Sequence, residues 1–260
     1  MMRKIGVLTS GGDAPGMNAA VMSIARSAAA YGMPLIGIKH GYNGLLRKST
    51  SIKDDLQELY LDTVLDIADQ PGTYLRTARC EEFKDPKWRE IAVQTLKAME
   101  IDGLVVIGGD GSFRGAADLS KAGIPCVGLP GTIDNDIQCS EYTIGYDTAM
   151  NTVMELVDKL RDTSHSHERC AVVEVMGRNA GHIALNTGVA CGATAILVPE
   201  IEFDIEDVIQ KIKNARANGK EQFIVIVAEG VGHTEEISKR INEETGIESR
   251  ATILGHVQRG

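Results

Sequence analysis

The chain has 260 residues, of which 43% are hydrophobic and 4% are aromatic, and its formal net charge is −9. A chain of this length buries a sizeable core, either as one large domain or as two modest ones. Its negative surface repels nucleic acid and anionic membranes, so we expect neither as a partner, and any anionic small ligand needs a local cluster of Arg, Lys and backbone N–H groups.

The cysteines indicate the redox compartment. There are five of them, widely spaced and without a CxxC pair, which argues against a disulfide framework or a zinc site and favours a reducing environment. The N-terminal apolar run is too short for a signal peptide, and no stretch approaches the roughly 20 apolar residues of a membrane helix. We therefore expect a soluble, cytoplasmic protein.

Short apolar runs predict strands that are buried on both faces, because Val and Ile follow one another in them without alternating with polar residues. Segments with apolar residues three or four apart predict amphipathic helices. Their alternation predicts an α/β fold with mainly parallel sheets and helices on both sides. The predicted elements are strand Lys4–Thr9, helix Lys87–Met99, strands Asp102–Gly108 and Pro125–Pro130, helix Thr148–Leu160, strands Cys170–Val175 and Thr194–Val198, helix Asp204–Asn218, strand Phe223–Ala228 and helix Thr234–Thr245.

Loops at the carboxyl ends of parallel strands are where such sheets bind ligands. Here these loops read SGGDAPG, GGDGS, PGTIDND, MGRNAG and AEGVG, and all are rich in Gly or short polar residues. A domain boundary is predicted near Gln138, because QCSEYT separates two runs of strand–helix alternation.

The first two loops favour a nucleotide site. SGGDAPGMN follows a strand and opens a helix, so its glycines admit a ligand to the backbone and the helix N-terminus offers N–H groups to an anion. It matches neither the Walker nor the dinucleotide pattern, and a plain tight turn remains the alternative. GGDGS repeats the context and adds Asp110, which suits Mg²⁺ held by carboxylates and phosphate oxygens. A helix-capping role is the alternative for Asp110.

The loop PGTIDND contains two carboxylates, Asp134 and Asp136, which point the same way if the backbone is extended. A carboxylate at such a position accepts a proton from a substrate hydroxyl that attacks phosphorus. A solvated Asx turn is the alternative for the pair.

Basic loop residues supply positive charge, since the planar fork of Arg binds two phosphate oxygens at once. Each of them taken singly is more often a surface or ion-pair residue. His165 and His167 are interpreted as part of an exposed polar loop rather than as metal ligands. The basic candidates are Arg79, Arg169, Arg178, Arg250, His256 and Arg259.

The ordered set LTSGGDAPGMN, GGDGS, PGTIDND, EVMGRNAGH and RATILGHVQRG resembles the bacterial-type ATP-dependent 6-phosphofructokinase family over essentially the whole chain. The resemblance implies two three-layer α/β/α domains with the active site in the cleft between them. Residues 1–137 plus 251–260 would form a larger ATP-binding domain, and residues 138–250 a smaller fructose 6-phosphate-binding domain. It also implies transfer of the γ-phosphoryl group of MgATP to the 1-hydroxyl of fructose 6-phosphate in glycolysis, by a homotetramer whose subunits share active sites.

Residue roles follow from the same resemblance. Asp134 matches the general base, with Thr132, Asp136 and Arg178 at the reacting centre. The ATP and magnesium side is matched by Gly11, Arg79, Cys80, Gly109, Asp110, Gly111 and Ser112, of which Asp110 is the metal ligand. The sugar-phosphate side is matched by Thr132, Asp134, Asp136, Arg169, Met176, Gly177, Arg178, Glu229, Arg250, His256 and Arg259, of which Arg169 and Arg250 reach across a subunit boundary.

Two glycines bear on the phosphoryl donor. Pyrophosphate-using relatives tend to carry Asp where this chain has Gly111 and Lys where it has Gly131, so two glycines favour ATP. An acidic side chain at Gly111 would crowd and repel a nucleotide's α-phosphate. Pyrophosphate-dependent transfer remains one alternative, and a non-catalytic regulatory homologue is the other.

Departures from the family pattern concern regulation and the chain end. Arg26, Arg161 and Lys220 match an allosteric site for a nucleotide diphosphate or phosphoenolpyruvate, but Met22 and Thr194 stand where a basic and an acidic residue are usual. Loss of one basic residue weakens a cluster that binds phosphate, so the sequence alone does not predict whether an effector regulates the enzyme at this site. The sequence stops in mid-motif at GHVQRG, and we expect a C-terminal truncation.

Overall fold

The computed structural model describes residues 3–46 and 55–260, which divide into two units. Unit one comprises Met1–Thr132 and Asp136–Gly145, and unit two comprises Ile133–Asn135 and Tyr146–Gly260. The sequence predicts a boundary near Gln138, and the family resemblance groups residues 251–260 with the first domain. In the structure the chain finally passes to unit two at Tyr146, and residues 251–260 belong to unit two. The assignment of one substrate to each domain stays a prediction.

Unit one is built on a five-stranded sheet flanked by helices. Its strand order is β3-β2-β1-β4-β5, and neighbouring strands are parallel except for β2 and β3. Its elements are β1 Lys4–Ser10, α1 Met17–Ala30, β2 Leu35–Ile38, β3 Leu56–Glu58, α2 Leu61–Leu65, α3 Pro86–Ala98, β4 Ile101–Gly108, α4 Asp110–Lys121 and β5 Cys126–Pro130, with 3₁₀ turns at Gly41–Leu45 and Glu81–Lys84.

The centre of this sheet determines where its loops meet. From β1 the chain first moves outward to β2, and later returns to place β4 on the other side of β1. The strand order therefore reverses beside β1, which makes a topological switch point where loops open a ligand-binding crevice. The loops that follow β1 and β4 consequently lie side by side.

Unit two is built on a four-stranded, wholly parallel sheet of order β7-β8-β6-β9. Because β6 lies between β8 and β9, the loops that follow these three strands share one edge of the sheet. The elements are α5 Tyr146–Ser166, β6 Cys170–Val175, α6 His182–Ala190, β7 Ala195–Leu197, α7 Ile205–Ala217, β8 Phe223–Ala228, α8 Thr234–Thr245 and β9 Ser249–Ile253, followed by a 3₁₀ turn at Gly255–Arg259.

The burial of the strands follows their place in the sheets. All six residues of β8 are buried, as its unbroken apolar run predicts. The same prediction is wrong for β5, where Val127 is 61% exposed. Within the described part of the chain β5 pairs only with β4, so it is an edge strand with one unpaired hydrogen-bonding edge, and its burial pattern is mixed.

Helix ends agree with elementary capping chemistry. Asp85 accepts a hydrogen bond from the Lys87 N–H at 2.9 Å at the start of α3, and Pro86 occupies the first helical position. Asp204 caps α7 in the same way, with 3.0 Å to the Glu206 N–H. α5 continues to Ser166, so His165 lies in its last turn rather than in a loop.

Candidate active site

The glycine loop after β1 is joined to the segment that carries Arg79. Gly11 adopts φ of +88°, its N–H donates to the Ala78 carbonyl at 3.2 Å, and its own carbonyl accepts the Thr77 hydroxyl at 3.0 Å. Two residues earlier, the Thr9 hydroxyl donates to the Arg76 carbonyl at 2.7 Å. These bonds place the backbone of the predicted ATP-side residues Gly11 and Arg79 next to each other.

Two polar residues of the same motif hold this segment, and their role was missed at the sequence level. Asn18 is 2% exposed, and its amide accepts from the Tyr74 N–H at 2.7 Å while donating to the Gln70 carbonyl at 3.1 Å. Asp13 accepts a hydrogen bond from the Thr73 hydroxyl. All three partners lie more than 50 residues away along the chain, so no local sequence pattern predicts these contacts.

The loop after β4 packs directly against the loop after β1. A Cβ at Gly108 would lie 2.5 Å from the Ser10 carbonyl oxygen, so only glycine fits there. Ser112 is buried and donates to the same Ser10 carbonyl at 3.0 Å. The two glycine-rich loops therefore form one surface.

Asp110 begins α4 at this surface. Its side chain is 45% exposed and pairs with Arg114 at 2.9 Å, one turn further along the helix. An exposed carboxylate beside helix N–H groups fits a magnesium ion whose other ligands are phosphate oxygens. Among residues 3–46 and 55–260, no group of three or more His, Cys, Asp or Glu side chains could hold a metal ion without such added ligands.

A third loop, after β5, joins these two. The Gly131 N–H donates to the Gly108 carbonyl at 3.0 Å, and Thr132 lies against Gly109, where a Cβ would be 3.5 Å from the Thr132 Cβ. A Cβ at Gly131 would meet Ile107 at 2.6 Å, whereas at Gly111 nothing lies within 4 Å. Gly131 is thus required by packing, while Gly111 faces open space.

Tyr42, which was not among the predicted residues, supports the GGDGS loop through a hydrogen bond to its backbone. Its ring stacks on Phe83, with centroids 4.0 Å apart and 12° between planes, and its hydroxyl donates to the Ser112 carbonyl at 2.5 Å. The edge of its ring lies where a Cβ at Gly115 would be. Burial raises the pKa of Tyr42 well above its ordinary value, so it stays a hydrogen-bond donor.

The two carboxylates of PGTIDND are both half-buried. Asn135 between them adopts φ of +54°, in the left-handed region. The premise that this backbone is extended is therefore wrong, and simple alternation does not determine where Asp134 and Asp136 point. Asp134 belongs to unit two, whereas Thr132 and Asp136 belong to unit one.

In unit two, the loop after β6 is held by side chains from other strands. Gly177 and Arg178 have φ of +144° and +58°, and both of their N–H groups donate to the Glu229 carboxylate, at 3.3 Å for Gly177. The preceding Met176 N–H donates to Gln258 Oε1 at 2.8 Å. Arg178 itself is exposed. The predicted residues Met176, Gly177, Arg178 and Glu229 are thus brought together.

Arg169 and Arg250 lie elsewhere. Both pair with the Glu248 carboxylate, at 2.7 Å and 2.8 Å, and hydrogen bonds from Arg250 and then from Arg169 lower the pKa of Glu248. Arg169 precedes β6 and Arg178 follows it, so they lie at opposite ends of a six-residue strand, about 20 Å apart. Within one chain these arginines do not join the Met176–Arg178 loop.

Comparison with known proteins agrees with this geometry. The phosphofructokinase family model matches residues 4–260. The chain belongs to the phosphofructokinase family. It is 53% identical to the ATP-dependent 6-phosphofructokinase of Lysinibacillus sphaericus and 56% identical to ATP-dependent 6-phosphofructokinase 1 of Clostridium perfringens, in each case over 100% of this chain and 79% of the relative.

Solved structures of the family share the fold. The phosphofructokinase of Pichia pastoris superposes with a TM-score of 0.92 at 38% identity, covering 100% of this chain and 30% of the Pichia chain. A pyrophosphate-dependent phosphofructokinase from Marinobacter aquaeolei superposes with a TM-score of 0.83 at 20% identity, covering 99% of this chain and 69% of that one. The latter likeness concerns the fold alone.

The remaining family-matched residues lie in other places. Lys220 donates to the Thr194 hydroxyl at 3.1 Å, and Arg161 donates to the Cys191 carbonyl. Both belong to unit two, whereas Arg26 is exposed on α1 of unit one. Cys80 is half-buried beside Arg79, His256 is exposed, and Arg259 is half-buried in the last 3₁₀ turn.

The described helices also bear on membrane association. None of those in residues 3–46 and 55–260 combines the length and the apolar character that crossing a membrane requires.

Proposed function

We propose that the chain catalyses transfer of the γ-phosphoryl group of MgATP to the 1-hydroxyl of fructose 6-phosphate, giving fructose 1,6-bisphosphate and ADP. The observation that carries the proposal is the junction of three glycine-rich loops in unit one. Hydrogen bonds join Gly131 to Gly108 and Ser112 to Ser10, and Asp110 lies between Gly108 and Ser112 in the sequence. The ATP-dependent relatives at 53% and 56% identity support this activity and this donor.

On the nucleotide side, backbone N–H groups of the glycine loops and of the first turn of α4 would hold the phosphates. Gly11, Arg79, Cys80, Gly109, Gly111 and Ser112 line this side in the proposal. Magnesium, when bound, neutralises phosphate charge, and Asp110 is the carboxylate that would hold it. The open space at Gly111 supports a nucleotide donor, because an acidic side chain there would meet the α-phosphate.

At the reacting centre, Asp134 accepts the proton of the 1-hydroxyl of the sugar. At the same time the oxygen of that hydroxyl forms a bond to the γ-phosphorus. The bond from that phosphorus to the bridging oxygen breaks, and the bridging oxygen leaves with ADP. Thr132 and Asp136 orient the reacting groups. Arg178, which is exposed, stabilises charge on the transferred phosphoryl group.

On the sugar-phosphate side, the Met176–Arg178 loop, Glu229, His256 and Arg259 would bind fructose 6-phosphate. Arg169 and Arg250 would serve the site of a neighbouring subunit in a homotetramer. Arg169 and Arg250 lie at the amino ends of β6 and β9, whereas Arg178 follows the carboxyl end of β6. This separation supports a role in a neighbouring subunit, because the two arginines cannot reach the loop of their own chain.

Regulation and location complete the proposal. Arg26, Arg161 and Lys220 are proposed as an effector site with weak phosphate binding, since Met22 and Thr194 bring no charge to it and Thr194 instead accepts from Lys220. None of the five cysteines, all of which lie within the described residues, forms a disulfide, which supports the predicted cytoplasmic location.

The test is formation of fructose 1,6-bisphosphate with MgATP and magnesium pyrophosphate offered in parallel. We expect turnover with ATP, and we expect Asp134→Asn to lower kcat by roughly two to four orders of magnitude, the usual contribution of a general base. Asp162→Asn, an exposed change of the same kind on α5, should match the parent. Preference for pyrophosphate would overturn the donor, and full activity of Asp134→Asn would overturn the base.

A further inference from the structure

Gln258 is a fully buried polar residue in the last 3₁₀ turn, Gly255–Arg259. Its Oε1 accepts a hydrogen bond from the Met176 N–H at 2.8 Å. Because a backbone N–H can only donate, this contact determines which end of the Gln258 amide faces Met176. The other end, Nε2, must therefore point away from the loop.

Nε2 of Gln258 is buried and has no hydrogen-bond partner among residues 3–46 and 55–260. A buried donor without a partner destabilises a fold, and such groups are rare enough in native proteins to require an explanation. A methionine of similar length would avoid this cost entirely. The amide at residue 258 therefore points to a role for its other half, the acceptor oxygen.

The acceptor holds the first residue of a strained loop. Met176 precedes Gly177 and Arg178, whose backbones have φ of +144° and +58°. Left-handed backbone is unfavourable for a residue such as Arg178 and persists when its surroundings enforce it. Glu229 binds the N–H groups of Gly177 and Arg178, and Gln258 binds the one before them. Three successive N–H groups are thus held by two side chains from outside the loop.

We propose that Gln258 is a positioning residue that anchors the Met176 N–H and so sets the Met176–Arg178 loop for binding the sugar phosphate. The inference rests on the function proposed above. Gln258 acts through the backbone of Met176 and does not touch substrate. It differs from Glu229, which holds two N–H groups through one carboxylate oxygen and is itself among the residues proposed to bind the sugar phosphate.

The test is Gln258→Met in the purified protein, with Gln210→Met on the exposed face of α7 as the matched control. The variant loses the bond to Met176 and also removes the unpartnered donor, so we expect a melting temperature within about 2 °C of the parent. We expect the KM for fructose 6-phosphate to rise about tenfold and the KM for ATP to change less than about twofold. Gln210→Met should match the parent in all three.

Hydrogen exchange of the peptide around Met176 gives a readout that does not depend on activity. We expect faster exchange in Gln258→Met and near-parent exchange in Gln258→Glu, which keeps an oxygen facing Met176. An unchanged KM for fructose 6-phosphate, equal rises in both KM values with a lower melting temperature, or fast exchange in both variants would each overturn the inference. A parent that turns over no fructose 6-phosphate would instead reject the proposed function, while exchange still tests the anchor.

Discussion

The two units hold their candidate binding loops by different means. In unit one the loops are joined backbone to backbone, as in the bonds from Gly131 to Gly108 and from Gly11 to Ala78, at 3.0 Å and 3.2 Å. In unit two the loop after β6 is held by the side chains of Glu229 and Gln258. The first arrangement depends on the close backbone approach at Gly108, supplemented by side-chain bonds such as that from Ser112 to Ser10, whereas the second depends on two side-chain acceptors.

This difference separates stability from binding. A substitution at Gly108 forces the backbones of the two loops apart and so weakens the fold itself. A substitution at a unit-two acceptor releases a loop whose supporting strands, β6 and β8, keep their full hydrogen-bonded pairing. We therefore expect changes in unit one to appear first as lost stability and changes in unit two to appear first as lost affinity for one substrate.

Among the changes that test this comparison, Glu229→Ala has the largest expected effect. The change removes the acceptor for two N–H groups, and hydrogen bonds to a charged group contribute about 1.5–3 kcal/mol each. We expect the KM for fructose 6-phosphate to rise about 10- to 100-fold and the KM for ATP to stay near the parent value, measured by steady-state kinetics.

The control for Glu229→Ala is Glu221→Ala, an exposed residue just before β8, which should leave both KM values unchanged. If Glu229→Ala raised the KM for ATP as strongly as that for the sugar phosphate, the separation of the two units would be contradicted.

Gly108→Ala tests the opposite behaviour in unit one. Its Cβ would lie 2.5 Å from the Ser10 carbonyl oxygen and 2.6 Å from Ser112 Oγ, so the two loops must separate. We expect the free energy of unfolding to fall by about 1–3 kcal/mol, the usual cost of overpacking, measured by urea denaturation.

Gly103→Ala is the matched control for this change because Gly103 lies in the same strand. Its Cβ would be 3.4 Å from the nearest atom, the Pro125 carbonyl oxygen, which the neighbour can accommodate by a small shift. Equal losses of stability in the two variants would contradict the close approach at Gly108.

Features of the fold and the site could be predicted from the sequence where the residues that form them are close together along the chain. The unbroken apolar runs predicted β1, β4, β6 and β8, and the parallel topology placed the glycine loops at the ends of these strands. The edge strand β9 and the short β2 were missed, because SRATI contains no apolar run and LIGI is only four residues long.

The side chains that hold the binding loops could not be predicted from the sequence, for a different reason. Asn18 and Gln258 meet partners 52 and 82 residues away, and nothing in their own neighbourhood specifies those contacts. The left-handed Asn135 similarly invalidated the simple alternation assumed for Asp134 and Asp136. The motifs identified the loops, whereas the tertiary fold determined which residues hold them in place.

Tyr42→Phe sharpens the comparison with a smaller change in unit one. It keeps the ring that stacks on Phe83 and removes only the hydroxyl that donates to Ser112. A single neutral hydrogen bond contributes about 0.5–1.5 kcal/mol, so we expect a modest loss of stability together with a rise of about fivefold in the KM for ATP. Tyr31→Phe, at a residue that is 78% exposed, should change neither quantity. If Tyr42→Phe matched the parent in stability and in the KM for ATP, the claim that the Tyr42 hydroxyl supports the GGDGS loop would be contradicted.

The smallest expected effect is a pH dependence in unit two. Burial raises the pKa of Cys170, at the start of β6, to about 12. The folded state therefore favours the thiol, and this contribution is present below the unfolded pKa near 9 and is lost as pH rises toward 12. We expect the parent to lose roughly 1 kcal/mol more stability than Cys170→Ala between pH 8 and pH 10, measured by urea denaturation. The exposed Cys139→Ala should follow the parent, and identical pH profiles for parent and Cys170→Ala would contradict the burial effect.

Hydrogen exchange of the protein with each substrate added separately tests the central claim most directly, namely that unit one holds the nucleotide and unit two the sugar phosphate. The account predicts that a non-hydrolysable ATP analogue with magnesium slows exchange in residues 10–18 and 108–112, and that fructose 6-phosphate slows it in residues 176–178 and 255–259. Protection of the unit-one glycine loops by fructose 6-phosphate, with none at Met176–Arg178, would contradict it.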